Sequence, residues 1–250
     1  MIPVLRVETL KLARSPVGVI ATAVLVVGIV AICAGMMTAL RSGDPQVIAK
    51  LGAAASLDWT GLLSGSAQII GTGGLLGFGI VAAWVFGREF ADGTVAGLFA
   101  LPAGRGTIAA AKLIVFVAWA LVVSVAIGVA LLLTGLLLGF GIPDGAAATA
   151  LLRQVGLGAF NAALAMTAAW VATAARSLLA GVATAIGLVV LAPVGVLAGA
   201  GGWMPVAAPA LWAISGGAAV SPTQLITAGL LAGLAGAATV WWWHRLQLDR

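Results

Sequence analysis

Residues 61–86 read GLLSGSAQIIGTGGLLGFGIVAAWVF, without one charged side chain, and residues 87–92, GREFAD, then crowd Arg88, Glu89 and Asp92 together. A helix rises about 1.5 Å per residue, so roughly 20 apolar residues cross the ~30 Å hydrocarbon core of a bilayer. The first block is long enough for a membrane span, and the second marks where the chain leaves the membrane. Similar apolar runs lie at about 16–40, 113–140, 152–174, 178–200 and 223–243. The reading is an all-α integral membrane protein with six transmembrane helices in one domain over residues 1–250.

Composition supports this. The chain is 62% hydrophobic and 8% charged, with a mean hydropathy of +1.20. Soluble domains carry about 25% charged residues, so this chain cannot cover a soluble surface with polar groups. The net charge of +5 does not point to nucleic acid, because the Lys and Arg residues sit at the ends of apolar runs and form no basic stripe. Cys33 is the only cysteine, which excludes an intrachain disulfide and a cysteine metal cluster. Ile32 before it argues against a lipid-anchor signal.

Orientation follows from basic residues in short loops. With the N-terminus inside, Arg6, Lys11, Arg14, Arg88, Arg105, Lys112, Arg176, Arg245 and Arg250 collect on the inner face. Only Arg41, Lys50 and Arg153 fall outside. Both termini are therefore expected in the cytoplasm, in a multi-pass protein of the cell membrane. The first run is too long for the apolar region of a cleaved signal peptide and reads as a retained span.

Residues 2–14 suit an amphipathic helix lying in the headgroup plane, with Ile2, Leu5, Thr9, Leu12 and Ala13 on one face and Arg6, Lys11 and Arg14 on the other; a frayed, positively charged tail is the alternative. The connection at about 200–222 carries no charge but has Pro205, Pro209 and Pro222, with Trp203 and Trp212. It is expected to dip back into the membrane as two short helical pieces covered by protein. The tryptophans there, and Trp241–Trp243 at the inner end of the last span, suit the membrane interface.

Between the second and third spans, a helix over 88–101 would place Arg88, Glu89 and Asp92 on one edge, and Phe90, Thr94, Leu98 and Leu101 opposite. Pro102 stops it, and Gly104-Arg105-Gly106 makes the turn before Lys112. The pattern Glu89, Gly93-Thr94, Leu98, Leu101-Pro102, Arg105 and Lys112, with six spans, both ends inside, an N-terminal elbow helix and a re-entrant helical pair, resembles the type-2 permeases of ATP-binding-cassette exporters. The resemblance covers the whole chain. It departs at Gly104, where the family often has Ser or Thr.

The resemblance implies a coupling helix after span two that inserts into a cleft of a cytosolic ATPase subunit. ATP and Mg would be bound by that partner, with no cofactor in this chain. A second permease, identical or not, would complete the pathway. Arg88, Glu89 and Asp92 become candidate partner contacts, with Gly93 allowing close approach, Thr94 capping the following backbone, and Pro102 and Arg105 shaping the turn. These charges also fit a merely solvated loop rim.

The sequence contains no G-x-x-x-x-G-K-[ST] loop, and Gly104-Arg105-Gly106-Thr107 lacks its lysine. An intramembrane serine protease would need a serine beside a histidine, but His244 and Ser64 belong to opposite ends of their spans. An ion-coupled carrier of the same topology would be expected to hold a charge mid-span, and these runs hold none at their centres. Ser64, Gln68 and Thr72 line one face of span two, and Gln154 and Asn161 share a face of span four. They are candidates for a substrate path or for helix-to-helix hydrogen bonds. Gly135/Gly139 and Gly229/Gly233 have the spacing of close helix packing. The expected substrate is a hydrophobic or amphipathic small molecule, such as a drug, antibiotic or lipid-like compound, moved outward by alternating access.

Overall fold

The computed structural model describes residues 1–43, 45–51, 55–99 and 103–247, and among them every regular element is helical. Among the described residues, six helices are long and apolar enough to cross a membrane: Pro16–Arg41, Trp59–Ala91, Arg105–Leu137, Gly145–Ala174, Leu178–Leu197 and Pro222–Arg245. They are the six expected spans. The second, third and fourth begin earlier than hydropathy alone indicates; polar caps set the start of the second and fourth, whereas the third starts at Arg105 after Gly104 with no side-chain cap. Asp58 and Asp144 each accept a backbone N–H three residues on, from Gly61 at 2.9 Å and Ala147 at 2.8 Å. The negative side chains also face the positive ends of their helices. Ser221 and Gln224 form a reciprocal capping box at the start of span six.

Spans two and four are the central helices and the most enclosed by the rest of the chain. The lower half of span two packs along span five and the end of span four. That packing rests on small residues. A methyl group at Gly79 would lie 2.5 Å from Ala185 Cβ, one at Gly87 would lie 2.7 Å from Leu178 Cα, and one at Gly181 would lie 2.7 Å from both Ala83 and Ala172 Cβ. The expected pairs behave differently: Gly135 packs against the Trp59 ring, but Gly139, Gly229 and Gly233 meet nothing within 4 Å in the chain.

Two spans contain a single wide π-turn, Val24–Gly28 in span one and Ile70–Gly74 in span two. Such turns leave a backbone carbonyl poorly paired. In span two the side chain of Asn161 donates to Ile70 O at 2.8 Å.

The connection after span five contains the 3-10 turn Gly201–Trp203 and the helix Ala208–Ile214. Val206, Ala207, Ala208 and Ala213 are buried against the bundle, the helix packing on the first halves of spans two and four. The tryptophans divide in a way their spacing does not reveal. Trp203 and Trp241 are exposed, whereas Trp212 is half-buried against Phe160. Trp243 is wholly buried between Phe86 and Phe90, its indole N–H donating to Thr173 Oγ1 at 3.2 Å.

Candidate functional sites

Both chain ends, the turn after span two and the turn after span four meet at one end of the bundle. Arg105 donates to Leu246 O there, and Arg176 donates to Gln247 O at 2.8 Å. At the same end, four charges lock three elements together. Lys112 of span three, with 1% of its side chain exposed, donates to Glu8 Oε2 at 2.9 Å, Glu89 Oε1 at 2.8 Å and Val85 O at 3.2 Å. Those bonds use all three ammonium protons. Lys11 donates to Glu8 Oε1 at 2.9 Å and Glu89 Oε1 at 3.0 Å. Two carboxylates and two ammonium groups balance. Burial opposes ionisation of Glu8, but the neighbouring Lys112 and Lys11 outweigh it and hold its pKa below the usual carboxylate value. Glu89 Oε2 is buried with no hydrogen-bond partner among the described residues.

This changes the reading of the loop. The single helix expected over 88–101 is two pieces: span two runs to Ala91, and a separate helix spans Val95–Phe99. The break is a Schellman stop. Gly93 at φ +69° sends its N–H to Phe90 O at 3.4 Å, and Thr94 N–H reaches back to Glu89 O at 3.0 Å. Gly93 thus takes the left-handed backbone that glycine favours, and a Cβ there would meet nothing within 4 Å in the chain. Glu89 is not on an outward edge: it is 2% exposed and faces into the chain. Arg88 stacks 4.6 Å over Trp84 and lies 3.9 Å from Asp92. Asp92 and Thr94 are exposed, Gly104 caps span three, and Arg105 is its first residue. Pro102 and Leu101 lie outside the described residues.

On the elbow helix, Ile2–Ala13, one residue departs from its expected face, Lys11. Ile2 is 81% exposed, while Glu8 and Leu12 are buried. Lys11 points inward to Glu89 and not outward with Arg6 and Arg14. Glu8 escaped the sequence reading. Its signal was its place between Leu5 and Leu12 on a helical stripe, with Lys11 three residues on.

The intramembrane polar residues separate into three groups. Gln154 donates to Leu63 O at 2.9 Å and Asn161 to Ile70 O at 2.8 Å, a two-rung ladder between spans four and two. Asn161 is 2% exposed and engaged in this packing. Ser64 and Gln154 line a cavity of about 570 Å³ at the other end of the bundle, with Asp58, Asp144 and Arg153. Gln68 and Thr72 are exposed on an apolar groove of about 760 Å³ between span two, span five and the Ala208–Ile214 helix. Ser64 sits with the cavity at one end, whereas His244 packs on Gly106 at the other. The two cannot form a catalytic pair.

A family model described as "ABC-2 family transporter protein" matches residues 4–192. The chain belongs to the ABC-2 transporter family. The match runs from the elbow helix into span five and so includes the ionic cluster and the turn at Asp92–Thr94. Membership makes this multi-pass membrane chain a counterpart of ABC ATPase subunits. A comparison with curated proteins finds no match.

Proposed function

We propose that this ABC-2 chain is the permease subunit of an ATP-driven exporter, with both termini cytoplasmic and with ATP and Mg bound by separate ATPase subunits. One observation carries the reading: the buried cluster Glu8–Lys11–Glu89–Lys112 ties the elbow helix, the end of span two and the start of span three into one unit beside the turn at 92–94. A push on that turn and on the Val95–Phe99 helix is passed to three helices together. In this scheme Asp92, Gly93 and Thr94 form the surface that meets the ATPase, with Arg105 at the start of span three. Glu89 acts from within as a positioning residue, and Arg88 braces the last turn of span two.

The substrate we infer is a hydrophobic or amphipathic small molecule. Support comes from the groove beside spans two and five, whose walls are mostly apolar and include Leu75, Val190, Pro193 and Ala210. Gln68 and Thr72 would face hydrocarbon there unless covered. A second permease seated on this face, a like copy or a sister chain, gives them a polar path between the two halves. ATP-driven closure of the ATPase pair would then open the path outward. Filling the groove tests this. Thr72→Trp is expected to lower export of a hydrophobic dye from whole cells about tenfold, with membrane levels of the protein unchanged. Unchanged export would exclude the groove from the path.

A further inference from the structure

At the end carrying both termini, a cleft of about 440 Å³ opens between the corner joining elbow and span one, the last turn of span two and the start of span five. Three cations line it, Lys11, Arg14 and Arg88, against the single carboxylate of Asp92. Lys11 has two of its ammonium protons committed to Glu8 and Glu89, leaving one. Arg14 is exposed and makes no ion pair among the described residues. Arg88 lies over Trp84, 4.6 Å from the ring centroid, and 3.9 Å from Asp92, contacts that place its guanidinium at the wall.

The other walls are apolar, formed by Leu10, Trp84 and Leu178. Immediately beyond the corner, Val19 and Ile20 of span one are 58% and 61% exposed. Cations beside an apolar wall, at the point where a surface helix turns into a span, match the boundary between phosphate and acyl chain in a lipid. We propose that this cleft binds the phosphate of an anionic phospholipid, with Arg14 and Arg88 as its principal contacts and Leu10 and Leu178 flanking the first carbons of the chains. The proposal does not depend on the substrate or on the ATPase. It places a lipid against the last turn of span two, where its presence would stiffen the elbow against the turn at 92–94.

The test uses the full chain purified and delipidated in a neutral detergent, then exposed to phosphatidylglycerol or to phosphatidylcholine with the same acyl chains. Retained lipid is read by native mass spectrometry. Phosphatidylglycerol is expected to be retained preferentially, and Arg14→Gln and Arg88→Gln are each expected to weaken its retention about fivefold. Arg6→Gln, on the same elbow but outside the cleft, should leave retention unchanged. Because Arg14 is exposed and makes no ion pair among the described residues, its variant should keep the wild-type thermal transition even if Arg88→Gln does not. Equal retention of the two lipids, an equal loss with Arg6→Gln, or no loss with Arg14→Gln overturns the proposal. So does displacement of the lipid by millimolar inorganic phosphate, which would mark a site for a free anion.

Discussion

Lys112→Met should destabilise the folded chain by about 3–5 kcal/mol, the cost typical of removing one partner from a buried ion pair. The side chain removed is 1% exposed and bonded to Glu8, Glu89 and Val85 O. Its loss leaves two buried carboxylates sharing the one remaining ammonium group of Lys11. A methionine fills the volume but answers none of those groups. The expected readouts are a large drop in thermal transition in detergent and little monodisperse protein. The double variant Lys112→Met with Glu89→Gln restores charge balance, Glu8 against Lys11, and should recover most of the loss. A single variant as stable as the parent would mean that the cluster does not hold the three elements together. A double variant no better than the single one would locate the damage in packing and not in charge.

Gly181→Leu should have the second large effect. Even a methyl group at this position would stand 2.7 Å from Ala83 and Ala172 Cβ and 3.0 Å from Ala168 O. A leucine there must push span five away from spans two and four together. Overpacking a tight core costs about 1–3 kcal/mol and occasionally more, and here the obstacle includes backbone that cannot rotate aside. Span five also forms one wall of the groove with Gln68 and Thr72, so displacement should distort the groove before it unfolds the bundle. The measurement is thermal stability together with dye export. Gly229→Leu, whose site meets nothing within 4 Å in the chain, is the matched control for helix propensity and added bulk. Equal stability of the two variants would remove small-residue packing as the basis of the span two–span five contact.

The spans were legible in the sequence because hydropathy over 20 residues is a strong, additive signal. The turn at Gly93 was partly legible: a glycine after a run of helix formers marks a stop, but the loop motif drew attention to one continuous helix. The ionic cluster was harder to read. Glu89 continues the buried stripe Phe78, Val81, Val85 and Phe86, and Lys112 lies between Ile108 and Phe116 on another. A charge inside an apolar stripe predicts burial with a partner, which is the signal that hydropathy averages away. The partner itself was invisible, because Glu8 lies 104 residues from Lys112 and only the tertiary arrangement brings them together. Asn161 illustrates the opposite limit. Its polar side chain in a span suggested a path or a helix-to-helix hydrogen bond, and the structure holds the hydrogen bond, to Ile70 O in the π-turn of span two, a partner that no local pattern announces.

The central claim is that the turn after span two is where a separate ATPase grips this chain. It is tested most directly by placing a photo-crosslinking residue at position 94, exposed on that turn, and at position 142, exposed at the opposite end. Crosslinking is done in native membranes, and the products are identified by peptide mapping. The account predicts a covalent adduct from position 94 to a protein carrying a phosphate-binding G-x-x-x-x-G-K-[ST] loop, and no such adduct from position 142. Adducts to that ATPase from position 142, or none from position 94 while the two proteins still co-purify, would contradict it.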